Sequence, residues 1–159
     1  MKNVIFCLAL AMVSASCGNG SPSDSGTSGE GSGTAVSTPA KTADGKGIGE
    51  ITHVDLNNPL DQAMVGRGKA IYDMKCSACH KLTDQRVVGP GWAGVTQRRK
   101  PEWIMNMATN VDVMLEQDPA ARELLKECLV RMPNQNLSVG DARDVLEFML
   151  DNDGGSSGQ

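Results

Sequence analysis

Five consecutive residues, Cys76-Ser77-Ala78-Cys79-His80, restrict this chain more than anything else in it. Two thiols separated by two residues lie one helical turn apart on the same side of the backbone, so both can reach one edge of a planar ring. The next residue, His80, is then held beneath the ring's centre. A Cys-x-x-Cys-His run of this kind reads as the attachment site of a c-type haem. Cys76 and Cys79 would form thioethers to the two vinyl groups, and His80 would be the proximal iron ligand through a neutral imidazole.

Two other chemistries use similar residues. A thioredoxin-like redox pair requires a βαβ setting, whereas the flanks of this motif are helical without strand alternation. A structural zinc site takes four ligands, usually as two spaced pairs. After His80 there is no further His, and Cys128 is the only later Cys.

At 159 residues with a low-complexity front, the chain has room for one small domain. Aromatic residues make up only 3%, and a buried macrocycle would supply the apolar volume they leave out. Residues 61–151 hold 12 basic and 13 acidic side chains. So balanced a domain has no basic field of the sort that nucleic-acid binding requires, and none is expected.

The front of the chain reads as an export signal. Lys2, an apolar run from Val4 to Val13 and the small residues Ser14-Ala15-Ser16 form a signal segment over 1–16, too short to span a bilayer. Cys17 follows at once and resembles the acylated cysteine of a lipoprotein, with Ser14 standing where Leu is usual. Ordinary signal cleavage, releasing a soluble periplasmic product, is the competing reading. Cys7 lies inside the apolar run and would be removed.

Residues 18–47 contain 8 Gly, 6 Ser and 4 Thr among 30, too little apolar surface to offset the entropy of ordering. The stretch 17–47 therefore reads as a lipid-anchored flexible linker with a span of roughly 30 Å. A lead-in over 48–59 ends at Pro59 and contains His53, which reads as a surface or capping residue rather than an iron ligand.

The domain proper is expected over 60–151. Ala63, Met64, Ala70, Ile71 and Met74 recur at helical spacing and predict a helix running into the haem motif. Gly68, Tyr72 and Cys76 fall four apart on one face, where the glycine lets another helix approach closely. The run Val88-Gly89-Pro90-Gly91-Trp92 predicts an irregular loop over Lys81–Lys100. A carbonyl near Pro90 would accept the free ring N–H of His80 and fix its tautomer, and Trp92 would pack on the haem or its rim. Arg98-Arg99-Lys100 reads as a solvated corner, with haem propionates or an acidic partner as the competing use.

Pro101 opens one helix and Asp118-Pro119 a second that runs to Cys128 or Leu129. Cys128 reads as a buried free thiol. Pro133 forces Met132 out of helical geometry and leaves its side chain on a loop. Ser138 and Asp141 announce a last helix over Val139–Asp151, expected to bury Val139, Ala142, Val145, Leu146, Phe148 and Met149. A disordered Gly/Ser tail over 152–159 follows.

The order Gly68-x-x-x-Tyr72-x-x-x-Cys76-x-x-Cys79-His80, Gly89-Pro90 and Met132-Pro133 ahead of a capped helix resembles a small monohaem cytochrome c. That resemblance implies an all-α cytochrome c fold in which the first and last helices cross near Gly68 and Phe148. His80 would be the proximal and Met132 the distal ligand of one covalent haem c. Residues 98–107, Asp118-Pro119-Ala120-Ala121 and Met132-Pro133-Asn134-Gln135-Asn136-Leu137 are similar, more narrowly, to lipoprotein-type cytochromes found alongside nitrous oxide reductase. Val111 in place of a Pro after Asn110, and Arg131 before the Met, depart from that pattern.

A haem held by His and Met has no open iron position and suits cycling between ferric and ferrous states. The expected function is electron transfer in a respiratory chain with transient donor and acceptor proteins, the narrower resemblance implying nitrous oxide reductase as the destination. No catalysis and no small-molecule substrate are expected. The contrasting class is a haem sensor or catalyst with an open or labile distal site, in which Met132 only packs and Met105, Met107 or Met114 competes for the iron. Fractionation tests the anchor: wild type should travel with membranes, and Cys17→Ala should release the haem domain where signal cleavage persists. A wild-type protein found wholly in the soluble periplasmic fraction would remove the tether.

Overall fold

The computed structural model describes residues 44–155. The expected signal segment, Cys17, most of the linker and residues 156–159 lie outside them. Six α-helices follow in chain order: α1 (Gln62–Ile71), α2 (Val95–Arg98), α3 (Pro101–Thr109), α4 (Val111–Gln117), α5 (Pro119–Cys128) and α6 (Val139–Asn152). The described residues contain no strand, only an isolated bridge between His80 and Arg86. None of their helices is long and apolar enough to cross a membrane.

The pairing of α1 with α6 is the most extensive helix contact. Asp61 caps α1, its carboxylate accepting from the N–H groups of Ala63 at 2.8 Å and Met64 at 3.2 Å. The buried side of this segment is Val65, Gly68, Tyr72 and Cys76, which contains the expected Gly68, Tyr72 and Cys76 face. Met74 is 75% exposed, and Ala63 and Ala70 are exposed too. Backbone proximity decided the face: a Cβ on Gly68 would lie 2.0 Å from the Asp144 carbonyl oxygen and 2.9 Å from Phe148 Cβ. Only the glycine side of α1 can come that close, whatever apolar residues stand elsewhere on the helix. Arg67 then reaches across to Asp144 with two hydrogen bonds of 2.7 and 2.8 Å.

Helix α6 starts with a capping box. The Ser138 hydroxyl accepts from the Asp141 N–H at 3.0 Å, and the Asp141 carboxylate accepts from the Ser138 N–H at 3.1 Å. The buried face begins at Ala142; Val139, expected inside, is 54% exposed because the first turn projects past the contact with α1. At the other end the ordered structure passes the expected boundary. Asp153, expected in the tail, accepts from the N–H groups of Gly94 at 2.6 Å and Thr96 at 3.0 Å and from the Thr96 hydroxyl at 2.7 Å. Those bonds satisfy the start of α2, a short helix inside the stretch expected to be irregular.

Helix α3 opens with Pro101 at its first position and α5 with Asp118 as cap and Pro119 at N1, as their sequences require. A second helix not foreseen, besides α2, is α4. It begins at Val111 and turns Val111, Met114 and Leu115 into the core, an i, i+3, i+4 face in a short segment. Val111 occupies the first helical position, where a Pro would fit equally well.

The lead-in is a strap tied to α3 and α4, and its ties begin before residue 48. Asn106, 1% exposed, donates to the carbonyls of Lys46 at 3.1 Å and Ile51 at 2.9 Å and accepts from the Ile51 N–H at 3.2 Å. Asn110 donates to the Ile48 carbonyl at 3.1 Å. With the backbone satisfied in this way, Ile48 and Ile51 can be buried at no unpaired polar cost. His53 stays exposed beside Asp55 at 2.9 Å.

Gly68→Ala tests the crossing. Propensity alone would stabilise α1 by about 1 kcal/mol, but the added methyl must displace the Asp144 backbone, an overpacking cost of roughly 1–3 kcal/mol or more. The thermal midpoint should fall; a rise would mean that the helices are not in backbone contact.

Candidate haem-binding site

The π-helical turn Tyr72–Cys76 follows α1 directly, with the Ser77 N–H donating to the Tyr72 carbonyl five residues back at 2.9 Å. Turns of this kind recur at functional sites. The backbone then tightens: the N–H groups of Cys79 and His80 both donate to the Cys76 carbonyl, at 3.0 and 2.9 Å. The Tyr72 hydroxyl donates to the His80 carbonyl at 2.8 Å. One turn of chain thus presents Cys76, Cys79 and His80 to a single cavity of about 480 Å³.

Opposite the motif the Gly-Pro-Gly loop meets the imidazole. His80 Nδ1 lies 2.8 Å from the Pro90 carbonyl oxygen. A carbonyl can only accept, so Nδ1 carries the hydrogen and Nε2 keeps the lone pair. Glycine is required for that approach, since a Cβ on Gly89 would stand 2.4 Å from His80 Cε1. The loop is held by the Gly89 N–H donating to the Cys79 carbonyl at 2.9 Å and the Trp92 N–H to the Lys81 carbonyl at 2.8 Å. Trp92 is buried, its ring 4.9 Å from Tyr72 and 5.7 Å from His80 between centroids. It also lines the cavity.

The local electrostatics follow from burial. It pushes the His80 pKa down, partly opposed by the Pro90 hydrogen bond, so the imidazole is the neutral ligand form at pH 7. Burial likewise pushes the Cys76 thiol up to about 11. Both groups face an apolar wall that includes Ile104, Leu115, Val145 and Met149. Two thiols and a neutral imidazole on one side of such a cavity are the donor set of a c-type haem.

Met132 lines the same cavity, half-buried and packed against the core. Of the methionines weighed as competitors, Met107 also lines it, whereas Met105 and Met114 do not. Met114 is wholly buried, with its sulfur accepting from the Ile48 N–H at 3.0 Å. Met149, expected only in the core, borders the cavity as well. Cys128 needs correction: it is half-buried rather than buried, lines the cavity and accepts from Arg86 Nη1 at 3.3 Å. It stays near the surface because α5 ends there. The basic run divides too. Arg98 and Arg99 line the cavity, and Arg99 lies 4.8 Å above the Trp103 ring. Its position four residues before that ring, ahead of the first turn of α3, gave no sign of the stacking. His53 is remote from the cavity, and no three His, Cys, Asp or Glu side chains among the described residues could hold a metal ion by themselves.

Residues 65–153, more than half of the chain, match the protein family described as cytochrome c. No curated protein sequence matches it. Among solved structures it is similar to a cytochrome c from Rhodothermus marinus, at 32% identity and a TM-score of 0.65 over 68% of this chain and 92% of that one. An engineered form of the same Rhodothermus protein matches at 32% identity and a TM-score of 0.63, covering 66% and 90%. With the thiols, the imidazole and the all-helical frame already in place, these matches mean that the chain belongs to the cytochrome c family, haem electron-transfer proteins that hold haem c covalently.

Proposed function

We propose that this protein is a respiratory electron carrier with one haem c attached through Cys76 and Cys79 and ligated by His80 and Met132, held at the periplasmic side of a membrane through Cys17. The observation that carries the reading is the single cavity bordered by both thiols, a neutral imidazole and the Met132 side chain. When bound, haem c supplies an iron that alternates between ferric and ferrous states, and a thioether ligand raises its potential.

The chain's own residues hold and shield that centre. The Pro90 carbonyl accepts the Nδ1 hydrogen of His80 and leaves Nε2 as the lone-pair donor, and the hydrogen bond makes the imidazole a better donor. Trp92, Ile104, Leu115 and Val145 line the cavity and would keep water from a bound haem. An apolar surround stabilises whichever oxidation state carries less net charge, so these side chains also bias the potential upward. With His80 and Met132 both holding the iron, no position would remain for a substrate, which supports a carrier rather than a catalyst.

Partners are proposed on the resemblance of residues 98–107 and 132–137 to cytochromes that accompany nitrous oxide reductase. Transfer to such an acceptor calls for brief encounters, with an interface below about 1,200 Å². A lipid at Cys17 would compensate by raising the local concentration of the domain near membrane partners.

Acid–acetone extraction of the purified protein should leave the colour with the polypeptide, and haem passing into the solvent would disprove attachment at Cys76 and Cys79. The ferric protein should also show the weak near-infrared sulfur-to-iron band. Met132→Ala should abolish it while Met105→Ala, Met107→Ala and Met114→Ala retain it; survival of the band in Met132→Ala would displace Met132 as the ligand.

A further inference from the structure

The segment between α5 and α6 carries Met132, yet it has little structure of its own. Residues 130–137 make no backbone–backbone hydrogen bond among the described residues, and Pro133 has no N–H to give. Its internal bonds are short-range, Gln135 Nε2 to the Pro133 carbonyl at 3.2 Å and the Asn136 N–H to Asn134 Oδ1 at 2.8 Å. Neither fixes the segment relative to the cavity.

Two cations tie it to the rest of the domain. Arg131 Nη2 lies 3.3 Å from Asp112 Oδ1, 3.4 Å from the Asp112 carbonyl oxygen and 3.3 Å from Glu116 Oε1. Lys75 Nζ donates to the Gln135 carbonyl at 3.1 Å from the other side. Asp112 and Glu116 stand four apart on α4, a base made rigid by the full burial of Val111 and Met114. Lys75 immediately precedes Cys76. Met132 therefore sits between a tie to α4 and a tie to the turn that bears the cysteine.

We propose that Arg131 is a positioning residue for Met132: its bonds to Asp112 and Glu116 hold the otherwise unbonded segment against the cavity and slow the departure of the Met132 sulfur from the iron. The inference rests on Met132 being the distal ligand. The Arg131 side chain is 46% exposed and those of Asp112 and Glu116 are 64% and 63% exposed, so their removal changes global stability little. The effect is instead local, because releasing Arg131 frees the residue next to the ligand. Salt screens exposed pairs, so the hold weakens as ionic strength rises.

Potassium cyanide is the probe, since it binds ferric iron only after the methionine sulfur has left. The full-length ferric holoprotein should bind cyanide slowly and show the near-infrared band. Arg131→Leu should raise the limiting rate roughly fivefold, with thermal midpoint and haem content unchanged. The double variant Asp112→Asn/Glu116→Gln should do the same, and Arg131→Lys should fall between. The wild-type rate should rise with added potassium chloride, and the Arg131→Leu rate should not. Unchanged rates in both Arg131→Leu and the double variant would overturn the clamp while the band keeps Met132 as ligand. A wild type with no band and immediate cyanide binding would overturn the ligation, and the clamp with it.

Discussion

The contact of the Gly68 backbone with the Asp144 carbonyl is the constraint from which the remainder of the site follows. It decides which side of α1 faces α6, and hence that Tyr72 and Cys76 point inward. Tyr72 turned inward can stack near Trp92 and Phe148, at 4.9 and 5.5 Å between centroids, and still reach the His80 carbonyl with its hydroxyl. Cys76 turned inward starts the turn that aims His80. One missing methyl group thus orients three side chains, because a close-packed interior transmits a fixed approach distance through every layer above it.

Polar groups inside this domain are placed where backbone needs partners. Among the described residues, no buried side-chain nitrogen or oxygen is left without a hydrogen bond. Glu147, fully buried on α6, accepts from Asn57, from the Asp61 N–H and from Arg143. Such a carboxylate is tolerable only when its acceptors are taken up. Asn106 does for the strap what Glu147 does for the start of α1. Specificity of chain path comes from these residues, while the apolar core supplies the drive to collapse.

Much of the fold was readable from local chemistry. The Ser138–Asp141 pair, Asp118-Pro119 and Pro101 mark helix starts by rules that involve only neighbouring residues, and all three helices begin there. The spacing of Gly68, Tyr72 and Cys76 was legible for the same reason. What was missed depends on contacts distant in sequence. The exposure of Met74 was not legible, because hydrophobicity along one helix does not report how closely another helix's backbone comes. Helix α4 was hidden by its shortness, and its apolar residues show a pattern only once α3 and α5 bracket it. Arg98 and Arg99 looked like solvated charge, but long side chains can lay their stems and planar heads on apolar walls. The haem motif identified the cavity's chemistry, whereas the places of Cys128 and Met149 on its wall and the ties of Arg131 became visible only when the fold brought Arg86 to Cys128 and Asp112 to Arg131.

The strap has a mechanical meaning. A pull applied at Asp44 would first load the Lys46–Glu102 ion pair at 3.2 Å, then the bonds that Asn106 and Asn110 make to the backbone of Lys46, Ile48 and Ile51. Their partners lie on α3 and at its junction with α4, and the turn that carries Cys76 comes after the strap along the chain. Tension from the N-terminal side is therefore borne in shear by side-chain amide bonds before it reaches the cysteine turn, and the geometry around His80 is insulated from it.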